Sequence, residues 1–187
     1  MLATPHMIAG AAIGKATRRL WVGLPVAFLS HFVLDFIPHL DSHAMFGIKG
    51  GGVTRGEATM AALDALLGIA LVLWAVGRQP RWRAMLMAAF LAIVIDFVDN
   101  VPPWSQWFRA WPGTSWLSAF HHAHQHNVTP AQWPLGFGTQ IAVTAIAMWL
   151  VLAWKPPWAR KGAGVGALGS EDGASFFSGR GQPRRRP

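Results

Sequence analysis

The sequence has 187 residues, of which 52% are hydrophobic and only 13% are charged. This balance is too apolar for an ordinary soluble domain and favours an integral membrane protein. The absence of cysteine excludes disulfides and thiolate metal ligands, so a bound metal would need histidine, aspartate or glutamate. The net charge of +8 is first explained by membrane topology, and we predict no specific nucleic-acid partner.

Apolar stretches recur along the chain at lengths suited to a bilayer. Four of them, residues 20–37, 58–77, 84–101 and 135–154, approach the roughly 20 helical residues that cross a hydrocarbon core. A fifth, residues 7–16, is too short to span the core unaided. The predicted fold is an all-α polytopic membrane bundle of four long transmembrane helices. A short N-terminal helix and interfacial helices in the outer loop complete it.

Basic residues are distributed unevenly between the two sides of this arrangement. If every long stretch crosses once, thirteen of the 16 lysines and arginines fall on one side, and Lys49, Arg55 and Arg109 fall on the other. The positive-inside rule assigns the thirteen to the cytoplasm. The loops 38–57 and 102–134 then face the opposite compartment, as does the start of the short first helix. We therefore predict a multi-pass protein of the cell membrane, specifically a bacterial inner membrane.

Composition changes after the last apolar stretch. From residue 156 onward the chain is rich in Gly, Ser, Pro and Arg and lacks a periodic apolar pattern. Such segments cannot bury enough apolar surface to fold. Two regions are predicted: a helical membrane domain over residues 1–155, with a metal site, and a disordered basic cytoplasmic tail over residues 156–187.

Ionisable residues interrupt the second apolar stretch, in the run SHFVLDFIPHLD. His31 and Asp35 are four residues apart and share one helical face. Pro38 ends this helix, which leaves His39 and Asp41 at its outer mouth. Ionisable groups inside a membrane are costly and usually functional. We predict that these residues belong to a polar site.

Acidic residues of the other stretches lie at a similar depth. Asp64 is seven residues inside Glu57, roughly 10 Å deep, because a helix rises 1.5 Å per residue. Asp96 and Asp99 lie three residues apart near the outer end of the next stretch. His6 opens the short first helix on the same side. The shared depth predicts one site rather than independent structural roles.

The outer loop carries a histidine-rich run, FHHAHQHN. His122 and His126 are four residues apart, so a helical turn would present two imidazoles on one side, a common way to hold a divalent metal. No carboxylate lies between them, which excludes the HExxH protease motif. His121 and His124 are the neighbouring imidazoles of this run.

Five tryptophans accompany this run in the same loop. Their density predicts short helices in the headgroup region, where indole rings are commonly found. We predict that a membrane lipid is the partner of this site and a candidate for its substrate. The residues are Trp104, Trp107, Trp111, Trp116 and Trp133.

Imidazole and carboxylate donors without sulfur suit a divalent metal, with zinc foremost and manganese or magnesium as alternatives. Such an ion acidifies bound water and polarises a carbonyl or phosphoryl oxygen. Asp35, Asp64 and Asp96 are the predicted catalytic carboxylates, since one that does not bind metal can serve as general base. Hydrolysis at the membrane surface is the reaction class that this combination favours.

The opening TPHMIAGAAIG, the run SHFVLDFIPHLD, the two intramembrane residues Asp64 and Asp96, and the late histidines resemble a known family. It comprises small membrane-bound metal-dependent hydrolases, also called LexA-binding, inner-membrane-associated hydrolases, and is similar to zinc-dependent phospholipase C. The resemblance covers about residues 4–154 and implies a hydrolase. The chain has a PHLD turn where many members have a PDID-like turn, and it lacks their HRGxTHS-like segment.

Matching by position, the resemblance implies a metal-ligand set drawn from the first helix, the second helix and the late histidines. His121 or His124 are possible substitutes for the last two ligands. The implied ligands are His6, His31, Asp35, His39, Asp41, His122 and His126.

Three other functions are compatible with parts of this pattern. An ion- or proton-coupled transporter would use the intramembrane Asp35, Asp64 and Asp96, but the inner halves of the helices offer few polar residues to continue a path. Bis-imidazole haem binding would need a second deep histidine facing His31. A non-enzymatic membrane scaffold would use the polar groups to fix helix packing.

Overall fold

A computed structural model of the chain describes residues 1–41, 54–77 and 79–160. Every regular element in these ranges is a helix, which confirms the predicted all-α class. A single 3-10 turn, Pro130–Gln132, precedes the last long helix. The α-helices are α1 (Ala3–Ala16), α2 (Leu20–Asp35), α3 (Arg55–Val76), α4 (Trp82–Asn100), α5 (Trp104–Ala110), α6 (Pro112–Ala123), α7 (Trp133–Leu152) and α8 (Pro157–Arg160).

Two helical segments are long and apolar enough to cross a membrane, Arg55–Val76 with 22 residues and Pro130–Ala159 with 30. The pair α4 and α5 passes the same criteria together, but the chain bends by 84° between them. Helix α2 is apolar but has only 16 residues. Within the described ranges the protein thus has two or three helices suited to spanning a bilayer, and the four predicted long spans stay a prediction.

The chain divides into two units, Met1–Trp154 and Lys155–Pro187. In the second unit the structure describes only residues 155–160, which include the short helix α8. The predicted disordered tail therefore lies almost entirely outside the described residues, and the boundary at residue 155 stays a prediction.

Helix α1 lies at the centre of the first unit, although its length alone gave no sign of this. It packs against α2, α3, α4 and α7. Its approach to α4 depends on Gly10 and Gly14, because a Cβ at these positions would lie 2.6 Å from the Ala88 carbonyl oxygen and 2.7 Å from that of Ala84. Small residues spaced four apart allow such close contact between membrane helices.

The two ends of α1 have different surroundings. Around its C-terminal half the core is apolar and includes Ile8, Val72, Met85 and Val151. Around its N-terminal end the buried residues are histidines and aspartates. Large apolar side chains cover the outside of α3, α4 and α7, as a lipid-facing surface requires. The fold therefore gathers its buried histidines and aspartates at one end of the helices, while Lys15 is buried near the other end.

Candidate metal centre

The buried polar cluster draws its side chains from four helices and one connecting segment. Each helix contributes from the end that lies near the start of α1, so residues far apart in sequence meet in one place. All but Asp96 and His122 are almost completely buried. The cluster consists of His6 on α1, His31 and Asp35 on α2, His39 just after α2, Asp96 and Asp99 on α4, and His121 and His122 on α6.

Three of these imidazoles have their Nδ1 atom fixed by a neighbouring oxygen. Nδ1 of His31 donates to the Ala92 carbonyl oxygen at 2.7 Å, and Nδ1 of His39 donates to that of Ile37 at 2.8 Å. Nδ1 of His121 donates to Asp99 Oδ2 at 2.9 Å. Because a neutral imidazole has one N–H, each donation leaves Nε2 with a lone pair. Outer partners fix the imidazoles of metal sites in this way.

The Nε2 atoms of His31 and His121 converge on one carboxylate oxygen. They lie 3.2 Å from each other, and Asp35 Oδ2 lies 3.1 Å from the first and 3.7 Å from the second. Two lone pairs and an anionic oxygen this close repel one another unless a cation or a proton lies among them. Gln125 Nε2 also lies 3.1 Å from His121 Nε2 and can donate to it. His31, Asp35 and His121 can therefore hold a metal ion, since their donor atoms all lie within 4.8 Å of one another.

The two oxygens of Asp35 have different surroundings. Its Oδ1 accepts hydrogen bonds from His6 Nε2 at 3.1 Å and from the α-amino nitrogen of Met1 at 2.7 Å. The same nitrogen donates to His39 Nε2 at 2.7 Å. Asp35 Oδ2 and His6 Nδ1 are buried without a hydrogen-bond partner among the described residues. Such unpartnered buried atoms are rare and often indicate a missing ion.

Two further groups of donors adjoin the first. His6, His31 and Asp96 form one, and Asp99, His121 and His122 form the other. Asp96 Oδ1 lies 3.4 Å from His121 Nε2 and 3.7 Å from His31 Nε2. Its side chain is 28% exposed, so it is the more open carboxylate of the cluster.

Asp99 is enclosed by donors. Its Oδ1 accepts from Ser118 Oγ at 2.7 Å and from Arg109 Nε at 2.8 Å. Its Oδ2 lies 2.9 Å from His121 Nδ1 and 3.1 Å from His122 Nε2. A carboxylate held so firmly orients the His121 ring and increases the basicity of its Nε2.

The histidines outside the spanning helices differ in proton affinity. Burial by itself would lower the pKa of His121, but hydrogen bonds from its ring to Asp96 and Asp99 raise it to about 9. Burial lowers the pKa of His39 and of His122. Without a metal, a proton on His121 can therefore supply the cation that the facing lone pairs require.

Backbone pairing holds the segment after α6 against the end of α2. His126 N donates to the Asp35 carbonyl oxygen at 2.9 Å, and His39 N donates to that of His126 at 3.1 Å. Val128 N then donates to the His39 carbonyl oxygen at 2.9 Å. This pairing places α6, and with it His121, beside the second helix.

The structure brings most of the predicted site residues together, but not all. Asp64 accepts a hydrogen bond from Thr4 N at 3.1 Å, which caps the start of α1, and it belongs to none of the donor groups found among the described residues. Helix α6 ends at Ala123, so His126 lies beyond it with an exposed side chain. Asp41 is close enough to His39 for its charge to favour the protonated imidazole.

Three residues have a larger role in the site than the sequence predicted. His121 was considered only as a substitute ligand, Asp99 had no role of its own, and Arg109 was counted as a loop charge. The spacing of Asp96 and Asp99 was the available signal, because residues three apart share a helical face.

Comparison with protein-family profiles, curated proteins and solved structures finds no match for this chain.

Proposed function

We propose that the protein is a membrane-embedded, metal-dependent hydrolase acting on a phospholipid or another ester at the membrane surface. The facing Nε2 atoms of His31 and His121, 3.2 Å apart beside Asp35 Oδ2, are the observation that carries this proposal. The family resemblance of the motifs around His31 and Asp35 agrees with it.

Zinc is the metal proposed for this site. The donors are imidazole nitrogens and carboxylate oxygens, and the chain contains no cysteine, a combination that suits zinc and, less well, manganese or magnesium. His31, Asp35 and His121 would hold the ion, with His6 and Asp96 as adjoining donors. A bound ion of this type polarises a carbonyl or phosphoryl oxygen and lowers the pKa of water.

The proposed proton acceptor is Asp96. Its side chain is more open than the other carboxylates of the cluster and lies 3.4 Å from His121 Nε2. During hydrolysis Asp96 takes a proton from water, the water oxygen bonds to the carbonyl carbon or phosphorus, and the ester bond to the leaving oxygen breaks. Asp96 then returns the proton to that oxygen, which leaves as an alcohol.

We place the site on the non-cytoplasmic face of a bacterial inner membrane, since the basic residues favour the opposite side for the cytoplasm. The transporter alternative has less support. Asp64 is engaged by the backbone of Thr4. Around the C-terminal part of α1 the core consists mainly of apolar side chains such as Val72 and Met85, and the buried Lys15 there donates to the Val151 carbonyl oxygen.

Hydrolysis by the full chain in vesicles of phosphatidylglycerol and phosphatidylethanolamine tests the proposal. Products are followed by phosphorus NMR and mass spectrometry after chelation and after zinc or manganese is restored. We expect hydrolysis only with metal, and Asp96→Asn to reduce the rate by about 100-fold or more. His124→Asn, a matched change in the same loop, should retain the rate. Folded, metal-loaded protein that hydrolyses neither lipid would contradict the proposal.

A further inference from the structure

Arg109 links the candidate metal centre to the outer aromatic segment. Its Nε donates to Asp99 Oδ1 at 2.8 Å, and its Nη2 donates to the Asp99 carbonyl oxygen and, at 3.3 Å, to Asn100 Oδ1. Nη1 makes no hydrogen bond to any residue that the structure describes, and the side chain is 49% exposed. The guanidinium is thus fixed on one edge and open on the other.

A shallow apolar groove is lined by Phe108, the residue that precedes this arginine. Its volume is about 290 Å³, and it runs between the last turn of α4 and the helices α5 and α6. Thr114 Oγ1, the hydroxyl among its lining residues, is turned to the Phe108 carbonyl oxygen. The lining residues are Val98, Trp104, Trp107, Phe108, Trp111 and Thr114.

The groove and the arginine adjoin along both helices. Val98 immediately precedes Asp99, and Phe108 immediately precedes Arg109, so the ion pair and the groove occupy neighbouring faces of α4 and α5. Trp107 and Trp111 are largely exposed. Indole rings with one apolar and one polar edge are typical of the membrane interface.

We propose that this surface binds one phospholipid of the surrounding membrane, with its phosphodiester on Arg109 and part of an acyl chain in the aromatic groove. The occupant follows from charge and polarity, because a guanidinium with a free edge matches phosphate oxygens and the groove offers only apolar contact. Asp99 hydrogen-bonds both Arg109 and His121, which sets the phosphate beside the candidate metal centre. This inference rests on the proposed function and makes a phosphate-bearing lipid its substrate class.

A purely structural role for Arg109 makes a different prediction. If the guanidinium only orients Asp99, its replacement would weaken the metal site and leave the preference among lipids unchanged. If it binds the phosphate, replacement reduces affinity for phospholipid and spares affinity for the same chains without a phosphate.

The test is native mass spectrometry of the full chain in detergent with a chelator present, so that binding is measured without metal or turnover. The probes are dioleoylphosphatidylglycerol, dioleoylglycerol and inorganic phosphate. For the unaltered protein we expect phosphatidylglycerol to bind about tenfold more tightly than dioleoylglycerol, the ratio that one charge-assisted hydrogen bond contributes. Inorganic phosphate should bind far more weakly than either.

Arg109→Gln should abolish the tenfold preference, and Arg109→Lys should retain part of it. Arg83→Gln is the matched control, because Arg83 is also exposed and stacks on a tryptophan, Trp82, at 5.2 Å; it should leave the preference unchanged. Equal affinities of the unaltered protein for the two lipids would overturn the inference, as would inorganic phosphate binding as tightly as phosphatidylglycerol. No metal takes part in this experiment. Either result therefore bears on lipid binding by Arg109 and not on the proposed metal centre.

Discussion

The Nε2 atoms of His31 and His121 face each other across 3.2 Å, while the Nδ1 atom of each ring donates to a separate oxygen. When both imidazoles are neutral, this arrangement opposes lone pair to lone pair. Asp35 Oδ2 adds a negative charge at 3.1 Å from the first ring. A cation resolves all three repulsions together, and the predictions on metal binding below follow from that requirement.

Asp99→Asn should weaken zinc binding by about 10-fold to 100-fold, the usual effect of losing a carboxylate that orients a ligating histidine. The amide removes the charge that holds the His121 ring with Nδ1 protonated. Competition against a fluorescent zinc chelator measures the change.

Asp64→Asn is the control for that experiment, since it makes the same carboxylate-to-amide replacement at a residue that caps α1 through Thr4 N. Its zinc affinity should stay within about twofold of the unaltered protein, because among the described residues Asp64 belongs to none of the donor groups and shares no hydrogen-bond partner with His31 or His121. If both variants lose the same affinity, Asp99 has no special relation to the site.

Zinc should stabilise the protein against heat. A ligand that binds only the folded state adds about 2.7 kcal/mol at a concentration of 100 times its Kd. Thermal unfolding in detergent, with zinc and with chelator, gives the shift in Tm. Asp35→Asn should unfold at the same temperature in both conditions, and a zinc-dependent rise in that variant would show that the stabilising ion binds elsewhere.

Gly10→Ala should destabilise the fold by about 1–3 kcal/mol, the range for an extra methyl group in a packed interior. The new Cβ would lie 2.6 Å from the Ala88 carbonyl oxygen and 2.7 Å from Ala92 Cβ, and backbone atoms cannot move aside as a flexible side chain does. The free energy of unfolding in mixed micelles is the measurement.

The matched control is Gly138→Ala, where nothing lies within 4 Å of the added Cβ. Because Ala favours a helix interior over Gly, that variant should be as stable as the unaltered protein or more stable by about 0.5–1 kcal/mol. An equal loss in both would mean that the close approach of α1 and α4 does not explain the effect at Gly10.

Much of the fold follows from simple sequence patterns. Apolar length predicted α3 and α7, and the four-residue spacing of His31 and Asp35 placed them on one helical face. The central position of α1 did not follow, because a helix of 14 residues lacks the length that identifies a spanning segment. Gly10 and Gly14 had no role in the sequence predictions, and only the structure shows that they let α1 approach α4 closely.

The late histidines show a different limit of sequence reasoning. Which of the four imidazoles points inward depends on where α6 ends and on the contact of His121 with Asp99, 22 residues away. Local spacing treats His122 and His126 as a helical pair, yet the chain leaves the helix at Ala123. Backbone pairing with the segment after α2 then determines the course of the chain.

The metal content of tag-free, full-length protein tests the central claim most directly. Plasma mass spectrometry would compare the unaltered protein with His121→Asn and with His124→Asn. The His124 ring donates to the Phe120 carbonyl oxygen, lies edge-on to Phe36 and is tilted against Phe120. We expect at least about one zinc or manganese ion per chain in the unaltered protein and in His124→Asn, and almost none in His121→Asn. Folded, unaltered protein with no more metal than His121→Asn would contradict it.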